Sequence, residues 1–105
     1  ENNVYHLFPI LVNHPSLQGG KGGRLRDYLQ SYLAENGVGT VIHYPIPPHL
    51  QECYIKHPSL QGRDGERLIL PITKQIADCE LSLPISPTMT LEQAKEVIRL
   101  INDWK

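Results

Sequence analysis

A chain of 105 residues has room for one domain and one hydrophobic core, and 40% apolar with 20% charged residues is ordinary for a folded protein. Its net charge of −1 offers no basic footprint for nucleic acid, and no apolar run approaches the roughly 18 residues that cross a bilayer. Two cysteines cannot form a disulfide framework and nothing resembles a signal peptide, so a cytoplasmic setting is the expectation, with neither nucleic acid nor membrane as partner.

The run Val4 to Val12 (VYHLFPILV) has the length and the aromatic and branched residues of a strand. Tyr5, Leu7 and Leu11 point to one face and Val4, Phe8, Ile10 and Val12 to the other, so the strand should be covered on both sides. Pro9 removes a ladder donor and places it at a sheet edge or a bulge. Residues 13–23, rich in Gly, Pro, Ser and His, read as a loop. Leu25, Tyr28, Leu29, Tyr32 and Leu33 then form a helical stripe that Gly37 can end in a left-handed conformation.

A short strand is expected over Gly39 to His43. Pro45, Pro47 and Pro48 follow within HYPIPPHLQ and deny that segment a regular helix, leaving a stiff, extended loop. Beyond a second loop, His57 to Glu66, comes a helix with Pro71 in its first turn and Ile72, Ile76 and Cys79 on one side. Leu81 to Leu83 reads as a strand closed by Pro84. Thr90 and Gln93 have the spacing of a capping box, and Ala94, Val97, Ile98, Ile101 and Trp104 give the last helix its apolar face. The order is strand, helix, strand, loop, helix, strand, helix, which is an α+β layer: a small sheet with helices packed on it.

Several features invite a functional reading and do not sustain it. HPSLQG at 14–19 recurs at 57–62, with Arg-Leu in register after each copy, but only turn-rich sequence repeats, which reads as two similar loops. Lys21 in GGKGG lacks the hydroxyl residue a phosphate loop needs next to its lysine. His43 and His49 have a metal-compatible spacing, yet no cysteine pair accompanies them, and Cys79 falls on a helix face. Cys53 has His49 four residues earlier but no third group to orient it, so a half-buried structural cysteine is expected. Glu35, Glu52, Asp64 and Glu66 are scattered on loops and helix exteriors and do not pair. What remains is HYPIPPHLQECY, where two histidines and a tyrosine stand on a proline-stiffened loop. Such rigidity lowers the entropy cost of holding side chains against a ligand, although a purely structural crossover would use the same residues.

VYHLFPI, ENGVGTVIHYPIPPHLQECY and CELSLPISPTMTLEQAKEVIRLI together resemble the C-terminal domain of the DegT/DnrJ/EryC1/StrS family of nucleotide-sugar aminotransferases, which are pyridoxal-phosphate enzymes. These pieces span nearly the whole chain in the family's order and look most like members that aminate dTDP-linked 3-keto-6-deoxy sugars. Pro9 and the glycine-rich stretch 19–23 depart from the family's pattern. The resemblance implies that residues 1–105 are a single small domain of a fold-type I aminotransferase, with the large domain that binds pyridoxal phosphate lying outside the chain. A start at Glu1 without methionine agrees with a piece of something longer.

The family's Schiff-base lysine has no match among Lys21, Lys56, Lys74, Lys95 and Lys105, so the fragment itself is expected to lack cofactor and catalysis. The resemblance further implies a homodimer, with the large domain and a second subunit as partners. Carried over by match, His43 and Tyr44 would touch the nucleotide-sugar substrate, as would His49 in the P-P-H position, by hydrogen bonding to hydroxyls or the diphosphate. The amino donor would be glutamate. The rival reading is a stand-alone α+β module that binds a ligand or partner without chemistry, and it differs in exposing no large apolar patch.

Overall fold

The computed structural model describes residues 6–12, 22–55 and 69–104. In chain order they form β1 (Phe8–Leu11), α1 (Gly22–Glu35), a 3-10 turn (Pro48–Leu50), the one-turn α2 (Glu52–Ile55), α3 (Pro71–Cys79), β2 (Glu80–Leu83) and α4 (Leu91–Asp103). β1 and β2 pair antiparallel, Phe8 opposite Leu83 and Leu11 opposite Glu80. The architecture is α+β, as the sequence pattern implies. The repeated HPSLQG segments, Lys21, Lys56, Lys105, Asp64 and Glu66 lie outside the described residues.

Side chains alternate along a strand, so this register puts Phe8, Ile10, Leu81 and Leu83 on one face and Pro9, Leu11, Glu80 and Ser82 on the other. The first face meets the helices. Val12, Leu29, Leu33, Leu81 and Leu100 make the buried cluster, with Ile10, Leu25, Tyr32, Val38, Ile42, Leu83, Ile101 and Trp104 packed around it. Full burial of one such leucine contributes about 1.5–3 kcal/mol. Of the strand expected over 4–12, Val4 and Tyr5 lie outside the described residues and only Phe8–Leu11 pairs among the rest. It is not covered on both sides, since Leu11 on the outer face and Phe8 at the end of the inner face are exposed.

Pro9 sits at the edge without loss. Both backbone groups of Ser82, its opposite number, turn away from β1 to Val41, the amide at 2.8 Å and the carbonyl at 3.2 Å. Pro9 thus occupies a non-hydrogen-bonded pair, where a missing N–H costs no ladder bond. That Val41–Ser82 bridge is all that forms of the strand expected over Gly39–His43. The pairing stops there because the next inward N–H, that of His43, goes to a side-chain carboxylate rather than to backbone.

α1 starts two residues inside the expected loop, at Gly22, and ends as the stripe predicts. Gly37 has φ +78°, and the Val38 amide returns to the Leu33 carbonyl at 2.8 Å. Tyr28, expected on the apolar face, is exposed. α3 begins at Pro71, but its buried residues are Ala77 and Cys79, while Ile72 and Ile76 face outward. At its C-terminal end Arg26 of α1 donates to the Ala77 carbonyl. α4 carries the expected capping box, the Thr90 hydroxyl accepting from the Gln93 amide and the Gln93 side chain accepting from Thr90 N–H. It buries Val97 and Leu100 with Ile101 and Trp104 half-buried beside them, so Leu100 replaces Ile98, which is exposed. On the opposite side Arg99 lies between Glu96 and Asp103 and holds the Glu96 carboxyl below its ordinary range.

Leu81, fully buried, and Ile98, largely exposed, make a direct test of this core. Leu81→Ala should cost about 2–5 kcal/mol in urea unfolding, whereas Ile98→Ala should stay within about 0.5 kcal/mol. Equal losses would contradict the placement of α4.

Candidate functional site

The junction between α3 and β2 organises the polar side of the sheet. Glu80 already has extended backbone (φ −70°, ψ 136°), yet its N–H still donates to the Ile76 carbonyl, so helix passes into strand with no intervening loop. Arg26 of α1, buried, donates from Nη1 to the carbonyls of Ala77 (3.2 Å) and Glu80 (3.4 Å), and its Nε pairs with Asp27 at 2.6 Å. Carbonyls at a helix end lack intrahelical partners, and a guanidinium there also meets the negative end of the helix dipole.

On the outer face of β2 stand two buried polar residues, Glu80 (3% exposed) and Ser82 (4%). The Ser82 hydroxyl donates to Glu80 Oε1 at 2.5 Å, and the His43 backbone N–H donates to Glu80 Oε2 at 2.6 Å. The His43 ring continues the chain, its Nδ1 2.9 Å from Ser82 Oγ. Burying a carboxylate is expensive unless donors replace water, and here each oxygen has one. The Val41–Ser82 bridge, two residues before His43, aligns that backbone to deliver its N–H.

Tyr44 follows through a cis peptide and stands edge-on to the His43 ring, centroids 5.4 Å apart at 89°. Its side chain is exposed, and the His43 Nε2 carries no hydrogen bond among the described residues. The proline segment is held short: the Leu50 amide donates to the Pro47 carbonyl at 2.9 Å, and the Gln51 side chain reaches back to the Ile46 carbonyl at 3.0 Å. The expected extended loop thus contains a 3-10 turn. His49, on that turn, is 8% exposed, and its buried Nδ1 has no partner among the described residues. It borders a cavity of about 450 Å3 with Pro48, Tyr54, Leu70 and Thr73. The structure therefore joins His43 to Tyr44, while no hydrogen bond among the described residues ties His49 to either.

The residues set aside in the sequence fall as follows. Cys53 is exposed on α2, not half-buried as expected; Cys79 is buried, and burial together with the neighbouring Asp78 pushes its thiol up from the ordinary range. No group of three or more His, Cys, Asp or Glu among the described residues is placed to hold a metal ion, and no helix among them is long and apolar enough to cross a membrane. Ser82 stands within hydrogen-bond reach of the His43 ring, but it is buried and its hydroxyl donates to Glu80, so the pair presents no accessible nucleophile. The arrangement presents one imidazole and one phenol on a backbone held by Glu80 and by the Val41–Ser82 bridge.

The sequence matches the model of the DegT/DnrJ/EryC1/StrS aminotransferase family over residues 1–102. The chain belongs to this family. It is 36% identical over 102 residues to the dTDP-3-amino-3,6-dideoxy-alpha-D-galactopyranose transaminase of Aneurinibacillus thermoaerophilus, a match covering 97% of this chain and 23% of that protein. It is 33% identical over 101 residues to the dTDP-3-amino-3,4,6-trideoxy-alpha-D-glucose transaminase of Streptomyces venezuelae, covering 96% of this chain and 22% of that protein. The Erythromycin biosynthesis sensory transduction protein EryC1 of Saccharopolyspora erythraea is 40% identical over 97 residues, 92% of this chain and 22% of that protein. The chain thus spans less than a quarter of the length of these relatives.

An aminotransferase needs an amine placed to bond pyridoxal phosphate, and the described lysines do not fit that task. Lys74 is exposed and paired with Asp78 at 2.6 Å along one face of α3, and Lys95 is exposed on α4. Neither borders the cavity beside His49. The residue that sequence reasoning missed is Glu80. Its only signal was a charged position at the head of a strand otherwise reading Leu-Ser-Leu, where an outward-facing Glu would pass as solvated.

Two outcomes follow. Glu80→Ala leaves the His43 amide and the Ser82 hydroxyl without acceptors and should cost about 1.5–3 kcal/mol in urea unfolding; a change within error would contradict the network. At mildly alkaline pH iodoacetamide should modify Cys53 in the native protein and Cys79 only after denaturation, since the buried thiol is held neutral. Equal rates by mass spectrometry would contradict the burial of Cys79.

Proposed function

We propose that this chain is the C-terminal small domain of a longer, pyridoxal-phosphate-dependent nucleotide-sugar aminotransferase of fold type I, and that its His43–Tyr44 edge contacts the sugar nucleotide. The observation that carries the reading is the family match across residues 1–102, with relatives named as dTDP-sugar transaminases. The whole protein transfers an amino group, from glutamate, to a keto-deoxy sugar such as a dTDP-linked 3-keto-6-deoxyhexose. The cofactor, which carries the amino group between donor and acceptor, is held by residues outside this chain. The whole protein works in the cytoplasm as a homodimer.

Within that scheme the residues here bind and orient. His43 and Tyr44 offer a ring nitrogen and a hydroxyl to polar groups of the sugar nucleotide, on backbone pinned by Glu80 and the Val41–Ser82 bridge. Preorganisation of this kind reduces the ordering cost of holding a flexible ligand, and remote binding energy helps aim the keto carbon. The exposed Phe8 and Leu11 of β1 and Ile72 and Ile76 of α3 favour a domain that meets further protein over a self-contained module.

The test uses the full-length protein carrying this sequence, glutamate as donor and a dTDP-3-keto-6-deoxyhexose as acceptor. Amino-sugar formation is expected. His43→Ala and Tyr44→Phe should each raise KM for the sugar nucleotide roughly tenfold, the equivalent of about 1.4 kcal/mol, with a smaller change in kcat. No transfer to any keto sugar nucleotide would contradict the activity, and unchanged KM in both variants would contradict the contact.

A further inference from the structure

The hydrogens shared by Glu80, Ser82 and His43 can be counted. A carboxylate only accepts, and each oxygen of Glu80 faces one donor: the His43 backbone N–H at Oε2 and the Ser82 hydroxyl at Oε1. The single hydroxyl hydrogen of Ser82 is therefore committed to Glu80. What Ser82 Oγ turns toward His43 Nδ1, 2.9 Å away, is a lone pair. Two lone pairs at that distance would repel, so Nδ1 carries a hydrogen. A neutral imidazole has one N–H, which leaves Nε2 as an acceptor.

We propose that Glu80, acting through Ser82, is a positioning residue that holds neutral His43 as its Nδ1–H tautomer, so that Nε2 accepts a hydrogen bond from a sugar hydroxyl. The second half rests on the reading of His43 as a substrate contact; the tautomer rests on the hydrogen-bond geometry with Glu80 as a carboxylate. Its consequence is selectivity of chemistry. The neutral ring presents a lone pair that a hydroxyl can donate to, whereas a diphosphate has only acceptors to offer at neutral pH and would meet it unfavourably. The assembly is rigid at every link, because Glu80 and Ser82 are buried, Ser82 is fixed by both backbone bonds to Val41, and Glu80 has Arg26 on its own carbonyl. A free imidazole on a loop would have no such preference imposed on it.

Glu80→Gln gives the sharpest contrast. The amide keeps one acceptor, for the His43 N–H, and turns its NH2 toward Ser82 Oγ. The Ser82 hydroxyl is then released to donate to Nδ1, and the tautomer inverts to Nε2–H. The experiment is a long-range 1H–15N spectrum of the full-length protein labelled with 15N-histidine, the His43 signals being assigned by their loss in His43→Asn.

The wild type in its neutral form should show a protonated Nδ1 and a pyridine-like Nε2. Glu80→Gln should exchange the two shifts, with backbone amide spectra confirming that the variant is folded. Ser82→Ala should abolish the Nδ1–H preference. A wild-type His43 in the Nε2–H form overturns the proposal outright, and so does a folded Glu80→Gln variant that keeps Nδ1–H. Addition of a dTDP-hexose should move the Nε2 shift, while thymidine diphosphate alone should not. An Nδ1–H ring whose Nε2 the dTDP-hexose leaves unmoved overturns the acceptor role, and with it the substrate-contact reading, separately from the tautomer result.

Discussion

The buried carboxylate of Glu80 is the constraint on which the polar half of this domain depends. A carboxylate taken from water must find donors, and those it finds come from two different segments: the backbone of the His43 loop and the hydroxyl of Ser82. Satisfying Glu80 therefore fixes the loop. Without that demand the segment after Val41 would have one bridge to β2 and no further tie to it by backbone hydrogen bonds among the described residues. The aromatic pair of His43 and Tyr44 stands where it does because a charge beneath it needed a partner.

The same four residues of β2 serve the core. Alternation sends Leu81 inward among Leu29, Leu33 and Leu100, and sends Glu80 and Ser82 outward to the His43 loop. One strand thus couples hydrophobic packing to the His43–Tyr44 segment, and its register cannot slip without moving both. Arg26 strengthens the coupling from α1, since its guanidinium takes carbonyls at the end of α3 and the start of β2. Leu29 and Leu33, on the same helix, press on the sheet. A disturbance of α1 packing would accordingly be felt at Glu80 before it reached His43.

Much of this was legible in the sequence where the signal is local. The capping box of Thr90 and Gln93 and the left-handed Gly37 are each set by a few neighbouring residues, and each appears as the pattern implies. The fold class follows from the order of elements. What was not legible depends on distant partners. Ile72, Ile76 and Ile98 look like core by periodicity, but α3 buries Ala77 and Cys79, and α4 sends Leu100 into the core cluster instead. The strand at Gly39–His43 has strand-like residues, yet the His43 N–H is claimed by a carboxylate 37 residues away. His43 and Tyr44 could be singled out because prolines surround them. Glu80 could not, since nothing near it in sequence announces that it is buried.

Amide hydrogen exchange at His43 tests this dependence most directly. The His43 N–H is bonded to a buried carboxylate, so it should be protected to the same degree as the amides of Val41 and Ser82, which share its strand contact. Protection at Val41 and Ser82 alongside free-loop exchange at His43 would mean that Glu80 does not hold the loop, and the account of the site would fail with it.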